Sequence, residues 1–190
     1  MENNKKISIE KIENMKNPCL IIIDMQEKLF PVIHNKEVLL NNIEILIKGF
    51  QLFDFPILVT EQVPHKLGKT IDPISSLFEN FAPIVKSSFS CVGESKFISA
   101  LDNLDSSDIV LVGIETHVCV YQTAMDLINK NKHVEVVTNG VASRNIENHN
   151  VSLSRMDKHG VFLNTVEMLL FSIQQKAEGE RFRQLIKLLK

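Results

Sequence analysis

A thiol, a carboxylate and an amine each follow a different apolar run in this chain. Cys119 lies in the stretch from Asp108 to Ile128, DIVLVGIETHVCVYQTAMDLI. There an apolar run, Ile109 to Val112, meets Gly113, a short polar link of Glu115, Thr116 and His117, and then an amphipathic segment. That order reads as strand, tight turn and helix. With Thr116 as N-cap, Cys119 takes the third helical position, where orphan backbone N–H groups and the positive end of the helix dipole lower a thiol's pKa. A thiol so placed is nucleophilic at neutral pH. The plainer alternative is a structural cysteine, since free Cys is among the most buried residue types. Asp24 follows CLIII, Cys19 to Ile23, and Lys86 follows a short run from Pro83 to Val85. Alone, the Asp reads as a turn former or cap and the Lys as a solvated amine. Together with Cys119 they make a coherent set. A carboxylate takes the thiol proton and hands it to a leaving amine, an ammonium favours both thiolate and carboxylate, and sulfur attacks a carbonyl carbon. This is triad logic with lysine in the third role.

The elements that must position these three alternate along the chain. Cys19 to Ile23 is continuously apolar, as in a strand buried on both faces. From Leu39 to Phe53 the apolar residues keep helical spacing. Pro56 opens a second strand, Ile57 to Thr60, and Glu61 to Phe81 reads as a long, partly ordered excursion. Pro83 to Val85 makes a third strand, a helix covers Glu94 to Leu104, and Ile109 to Val112 is the fourth strand. The cysteine helix runs to about Asn129, and His133 to Thr138 alternates like a strand toward the sheet edge. A helix over Glu147 to His159, a short strand at Val161 to Leu163, and helices over Glu167 to Gln175 and Arg181 to Leu189 complete the pattern. Such alternation predicts parallel βαβ units in an α/β fold, a three-layer αβα sandwich with a mainly parallel sheet, whose ligands bind at the carboxyl ends of the strands. Asp24, Lys86 and Cys119 then share one rim. No Walker motif and no GxGxxG follows any strand, which removes the usual support for nucleotide binding.

The chain has 190 residues, 44% of them hydrophobic, and a formal net charge of -2. Its length suits one domain with a sizeable core, assigned to 18–190 behind a polar leader, 1–17. That balance gives no general pull toward nucleic acid or anionic membrane. Three scattered cysteines, Cys19, Cys91 and Cys119, form no disulfide framework and no paired metal knuckle, so a reducing, cytoplasmic setting is the expectation. Nowhere do eighteen apolar residues run together, and no membrane partner is expected.

The segments LIIIDMQEKLFP, ILVTEQVPHKLGKT, IVKSSFS and VLVGIETHVCVYQTAMDLI resemble the isochorismatase-like cysteine hydrolase superfamily. Within it the resemblance is to the isochorismatase domain-containing proteins, some of which carry the name mitochondrial-associated ribonuclease. It runs in order from about Cys19 to the C-terminus, and it implies a Rossmann-like topology with Asp24, Lys86 and Cys119 as the triad. It further implies a cis peptide bond between Ile114 and Glu115, with the N–H groups of Glu115 and Cys119 forming an oxyanion hole. Relatives generally form homo-oligomers, so at least a dimer is expected. Nicotinamidase members hold a metal with an Asp-x-His and a further His before the lysine. Here that interval holds only His65, beside Glu61, Asp72 and Glu79, so no metal and no other cofactor is predicted.

The implied activity is hydrolysis of a small amide, carbamoyl or ester substrate through a thioester on Cys119. Candidate substrate-binding residues are Gln26, Phe30, Thr60, Gln62, Phe89, His117 and Tyr121, each with a structural alternative: Tyr121 in the core, His117 supporting the turn. Ser143 and Arg144, in NGVASR after the fifth strand, either meet an acidic substrate or cap a helix. Two other classes remain open. A non-catalytic or redox-sensing protein would use an exposed, low-pKa Cys119. A nuclease would want a basic, aromatic surface, and with one Tyr the notably basic region is Arg181, Arg183, Lys187 and Lys190.

Overall fold

The computed structural model describes Met15 and residues 17–190, so most of the expected leader, residues 1–14 and 16, lies outside the described residues. Six strands, β1 (Cys19–Ile23), β2 (Ile57–Gln62), β3 (Ile84–Lys86), β4 (Asp108–Ile114), β5 (His133–Ala142) and β6 (Phe162–Asn164), form one sheet in the order β3-β2-β1-β4-β5-β6. Every pairing is parallel. The chain builds outward from β1 through β3, then crosses to the other side of β1 to lay down β4, so the switch in direction falls between β1 and β4. Ligand crevices of open parallel sheets form at such a point.

Side-chain alternation divides the core into two layers. β1 sends Leu20 and Ile22 to one face, with Val110 and Val112 of β4, and there they meet Ile43, Leu46, Ile47 and Phe50 of α1 (Lys36–Leu52), Leu169 and Leu170 of α7 (Val166–Gln174), and Leu185 of α8 (Gly179–Leu188). Ile21, Ile23, Ile109 and Leu111 point the other way, onto Phe97 and Leu101 of α4 (Ser95–Asn103), Ala124 and Leu127 of α5 (Tyr121–Asn129), and Met156 of α6 (Ile146–Lys158). The expected sandwich of helix, sheet and helix follows, because strands apolar on both faces need cover on both.

Three local expectations change. The excursion after β2 is more ordered than its composition suggests: Glu61 and Gln62 extend β2, and two short helices follow, α2 (Pro64–Leu67) and α3 (Asp72–Ser75). Lys86 is the last residue of β3 rather than the first beyond it. β5 runs four residues past Thr138 to Ala142, with a bulge where its pairing to β4 jumps from Leu111↔Val136 to Gly113↔Val141. Its outer flank at Glu135 to Val137 is covered by β6, and the pairing of Val141 and Ala142 with β4 makes much of NGVASR strand rather than loop.

At the switch point Gly113 has φ +112°, and a Cβ there would stand 2.1 Å from the Ile23 carbonyl oxygen. The two central strands approach closely only because this side chain is absent. Gly113→Ala is expected to lose about 3 kcal/mol or more in urea unfolding, combining backbone strain with a backbone clash. Gly160→Ala, also at positive φ but with nothing within 4 Å of the added carbon, should lose about 1 kcal/mol.

Candidate active site

The carboxyl ends of β1, β3 and β4 bring Asp24, Lys86 and Cys119 together. Asp24 is the first residue after β1 and adopts a left-handed φ of 53°, a conformation Asp tolerates better than most residues. Its backbone is tied by Asp24 N–H to the Thr60 carbonyl at 3.2 Å and by Gln26 N–H to its own carbonyl at 2.7 Å. Lys86 lies two strands away, roughly 10 Å at the usual strand spacing, so a long side chain is needed to cross β2. It does so beside Gln62, its register partner. Lys86 Nζ stands 2.7 Å from Asp24 Oδ2, 2.6 Å from Gln62 Oε1, 3.2 and 3.1 Å from the carbonyls of Ser88 and Phe89, and 3.6 Å from Cys119 Sγ, acceptors that share its N–H donors. Asp24 is 0% and Lys86 2% exposed.

Glu94 holds the loop that supplies those carbonyls. One of its oxygens accepts the N–H groups of Ser87 and Ser88 at 2.8 and 3.1 Å, with both serine hydroxyls. These bonds pull its pKa down to about 2. In the sequence Glu94 carries no signal beyond opening a helix, since a loop brace eight residues from Lys86 follows no spacing rule.

Cys119 sits in a turn wider than the one its sequence suggests. Thr116 to Val120 form a π-helical turn, in which the N–H of Val120 reaches the carbonyl of Glu115 at 3.3 Å. The expected cap is displaced by one residue: Glu115 occupies the N-cap position, and Thr116 is buried inside the turn with its hydroxyl 2.9 Å from His149 Nδ1. Single π turns concentrate at functional sites. The Ile114–Glu115 peptide bond is cis. The Glu115 carboxylate accepts the Arg144 N–H at 3.0 Å and faces its guanidinium at 3.5 Å, and His117 Nδ1 lies 2.9 Å from Ser143 Oγ. Each residue of the polar link is thereby tied to the end of β5 or to α6.

The electrostatics reverse one expectation. Cys119 is only 7% exposed, and burial is the main cause that pushes its pKa up to about 12. The Asp24 charge and its hydrogen bond with the thiol add to the rise, against the lowering effect of Lys86. The resting sulfur is therefore a thiol, because desolvation outweighs the helix end and the ammonium. It also departs from the exposed, low-pKa cysteine of a redox sensor. Burial is the largest single influence on the Lys86 ammonium and depresses it, but the negative groups around it, Asp24 foremost with Cys119 and Cys91, together outweigh burial and hold Lys86 above its ordinary value. Cys91, fully buried behind the site, has its thiol 4.0 Å from Thr60 Oγ1 and is pushed up to about 11 by burial.

The residues expected to line a pocket divide into two groups. Thr60 donates to Asp24 Oδ1 at 2.8 Å, and Gln62 holds Lys86 and donates to the Ser87 carbonyl at 2.8 Å. Gln26 bridges Gln62 and Gly68 through three hydrogen bonds. All three are buried with polar groups engaged internally, so they position the charged pair and its strands. Phe30 is half-buried against the core, while Phe89 is 55% exposed. His117 and Tyr121 line a cleft of about 170 Å³ with Asn148, Ser152 and Arg155, whose guanidinium lies 5.4 Å from the Tyr121 ring centre. Among the described residues no group of three or more His, Cys, Asp or Glu could hold a metal ion, and no helix is long and apolar enough to cross a membrane.

The model of the isochorismatase domain matches residues 18–168, most of the chain and all three residues of the cluster. The chain belongs to the isochorismatase family. Isochorismatase domain-containing protein 2 of Danio rerio is 34% identical over 92% of this chain and 87% of its own length. Among solved structures, the MAR1 ribonuclease of Caenorhabditis elegans is 29% identical, with a TM-score of 0.85 over 93% of this chain and 91% of that one. The YcaC gene product of Escherichia coli, described as an octameric hydrolase of unknown specificity, shares the fold at 18% identity, with a TM-score of 0.85 over 90% and 87%. Membership in this family supports a hydrolase type of chemistry.

The raised thiol pKa carries a direct expectation. Alkylation of Cys119 by iodoacetamide should be slow at pH 7 and climb through pH 9 without a plateau. In Asp24→Asn, which removes a negative charge that opposes ionisation, the profile should move to lower pH. A wild-type plateau near neutrality contradicts this electrostatic account.

Proposed function

We propose that this isochorismatase-family chain is a cysteine-dependent hydrolase of small amide, carbamoyl or ester substrates. The observation that carries the reading is that one buried ammonium, Lys86 Nζ, lies 2.7 Å from a carboxylate oxygen of Asp24 and 3.6 Å from Cys119 Sγ. A carbonyl arriving at Cys119 meets sulfur that is still protonated. As the S–C bond forms, Asp24 takes the proton, and Lys86 compensates the charge on sulfur and carboxylate in turn. The carbonyl electron pair moves onto oxygen, where the amides of Glu115 and Cys119 are the proposed donors. Collapse of the intermediate breaks the bond to nitrogen or oxygen, and Asp24 returns the proton to the leaving group. Water then gives a proton to Asp24 and attacks the thioester carbonyl; the C–S bond breaks, Asp24 returns that proton to sulfur, and the product acid departs with the Asp24 carboxylate and the Cys119 thiol restored.

True isochorismatase chemistry cleaves an enol ether and needs no sulfur nucleophile, so Cys119 favours acyl substrates. The reading extends to a homo-oligomer in the cytoplasm, in keeping with three cysteines that form no disulfide.

A panel of small amides, carbamoyl compounds, esters and RNA, presented to wild type and variants, tests the assignment. Cys119→Ala and Asp24→Asn are expected to lower kcat/KM by about 10⁴ or more, and Lys86→Met by about 10² to 10³, while the circular dichroism of Cys119→Ala stays native. Hydrolysis of any panel member that survives in Cys119→Ala, RNA included, refutes the sulfur mechanism.

A further inference from the structure

Beside the cysteine turn a second cleft, about 180 Å³, opens between the start of α1, the end of β5 and the start of α6. Its polar lining includes His34, Asn35, Asn139, Ser143 and His149, over an apolar wall that includes Val141. None of its lining residues is an aspartate or glutamate. The cleft adjoins the reacting centre by two routes. In the sheet, Ala142 is the register partner of Ile114, so the β5 wall stands about one strand spacing, roughly 5 Å, from the Ile114–Glu115 peptide. Through side chains, the lining residues His149 and Ser143 contact Thr116 and His117 of the cysteine turn.

The chemistry of this lining is selective. His149 Nδ1 is engaged by Thr116, which leaves Nε2 as the ring nitrogen able to meet a ligand. Its neighbour His34 is exposed, and its backbone N–H is held by the Ser143 carbonyl at 3.2 Å. Burial and the nearby His34 both hold the His149 pKa below its ordinary value. An imidazole whose charge is disfavoured by burial and by a neighbouring imidazole, with no carboxylate in the lining, is a setting that an incoming anion relieves. Arg144, next to the lining residue Ser143, is directed to Glu115.

We propose that this cleft receives the acidic end of the substrate, a short carboxylic-acid tail held by His34 and His149 while the scissile carbonyl lies at Cys119. The assignment of the tail to a substrate rests on the hydrolase reading; binding of a carboxylate in the cleft does not.

The test therefore has two arms. In the first, imidazole resonances of the intact protein are followed by NMR at fixed pH during titration with succinate or glutarate, and with the corresponding diamides. The dicarboxylates are expected to shift His34 and His149 and leave His65 and His159 unmoved. His34→Ala, at an exposed position, should weaken binding about tenfold, the loss of one charge-assisted hydrogen bond. Equal shifts with the diamides, no shift, or an unchanged affinity in His34→Ala overturn the subsite. In the second arm, succinamate and glutaramate are compared with their methyl esters as substrates. His34→Ala should raise KM for the acids about tenfold with little change in kcat, and leave the esters unaffected. Dicarboxylate binding without cysteine-dependent turnover would keep the subsite and discard the hydrolase reading. Turnover of neutral amides without dicarboxylate binding would do the reverse.

Discussion

An aspartate and a lysine, 2.7 Å apart and almost wholly withdrawn from water, are the constraint around which this molecule is arranged. Removing both charges from solvent costs several kcal/mol per ion, and the attraction between them repays it only when their remaining hydrogen-bonding capacity is satisfied. The surroundings do this. Thr60 donates to the free carboxylate oxygen, while Gln62 and the Ser88 and Phe89 carbonyls accept from the ammonium. Gln26 then braces β2 through Gln62, and Glu94 braces the loop that presents the carbonyls. A hydrophobic pair of similar volume would be about as stable with none of this support. So much polar structure around one pair adds little to stability, and it is what the proposed chemistry at the neighbouring sulfur would require.

The sulfur's own state follows from the same burial. A permanently ionised thiolate would react with any electrophile or oxidant that reached it. Cys119 is instead held as a thiol beside a carboxylate and a cation; in the proposed mechanism its nucleophilic form arises only when a substrate carbonyl takes up the developing charge. The wide turn from Thr116 to Val120 supports that arrangement: it seats the residue against β1 and β4, and its N-cap Glu115 and its residues Thr116 and His117 are tied to Arg144, His149 and Ser143 in turn. The placement of the turn depends on β5 and α6 as much as on Asp24, Lys86 and Cys119 themselves.

Much of this was legible in the chain. The run CLIII ending at Asp24 declares a doubly buried strand with a charge at its carboxyl end, and the alternation of strands and helices leads directly to the parallel sheet and its reactive rim. What the chain conceals is set by tertiary contact. Gln26, Thr60 and Gln62 carry polar groups suited to a pocket wall, and only tertiary contact shows that Thr60 and Gln62 meet the charged pair while Gln26 braces Gln62. Thr116 has the chemistry of a helix cap, but packing against His149 draws it inside. The Cys119 pKa could not be signed from position alone: the helix end and Lys86 lower it, burial and Asp24 raise it, and the degree of burial decides. The strand path of β5 through Asn139 to Ala142 is equally hidden, because NGVASR has loop composition and becomes strand only by pairing with β4.

Membership in the isochorismatase family places the chain among proteins that share a fold across differing descriptions, so the chemistry of this chain has to be read from its own residues. The decisive measurement is intact mass spectrometry of the wild-type protein, acid-quenched during steady-state turnover of an acyl amide or ester, followed by peptide mapping. A covalent acyl increment on the peptide carrying Cys119, which decays as substrate is exhausted, is the result this account predicts. Turnover without any increment, or an increment located on Cys91 or Cys19, would contradict it.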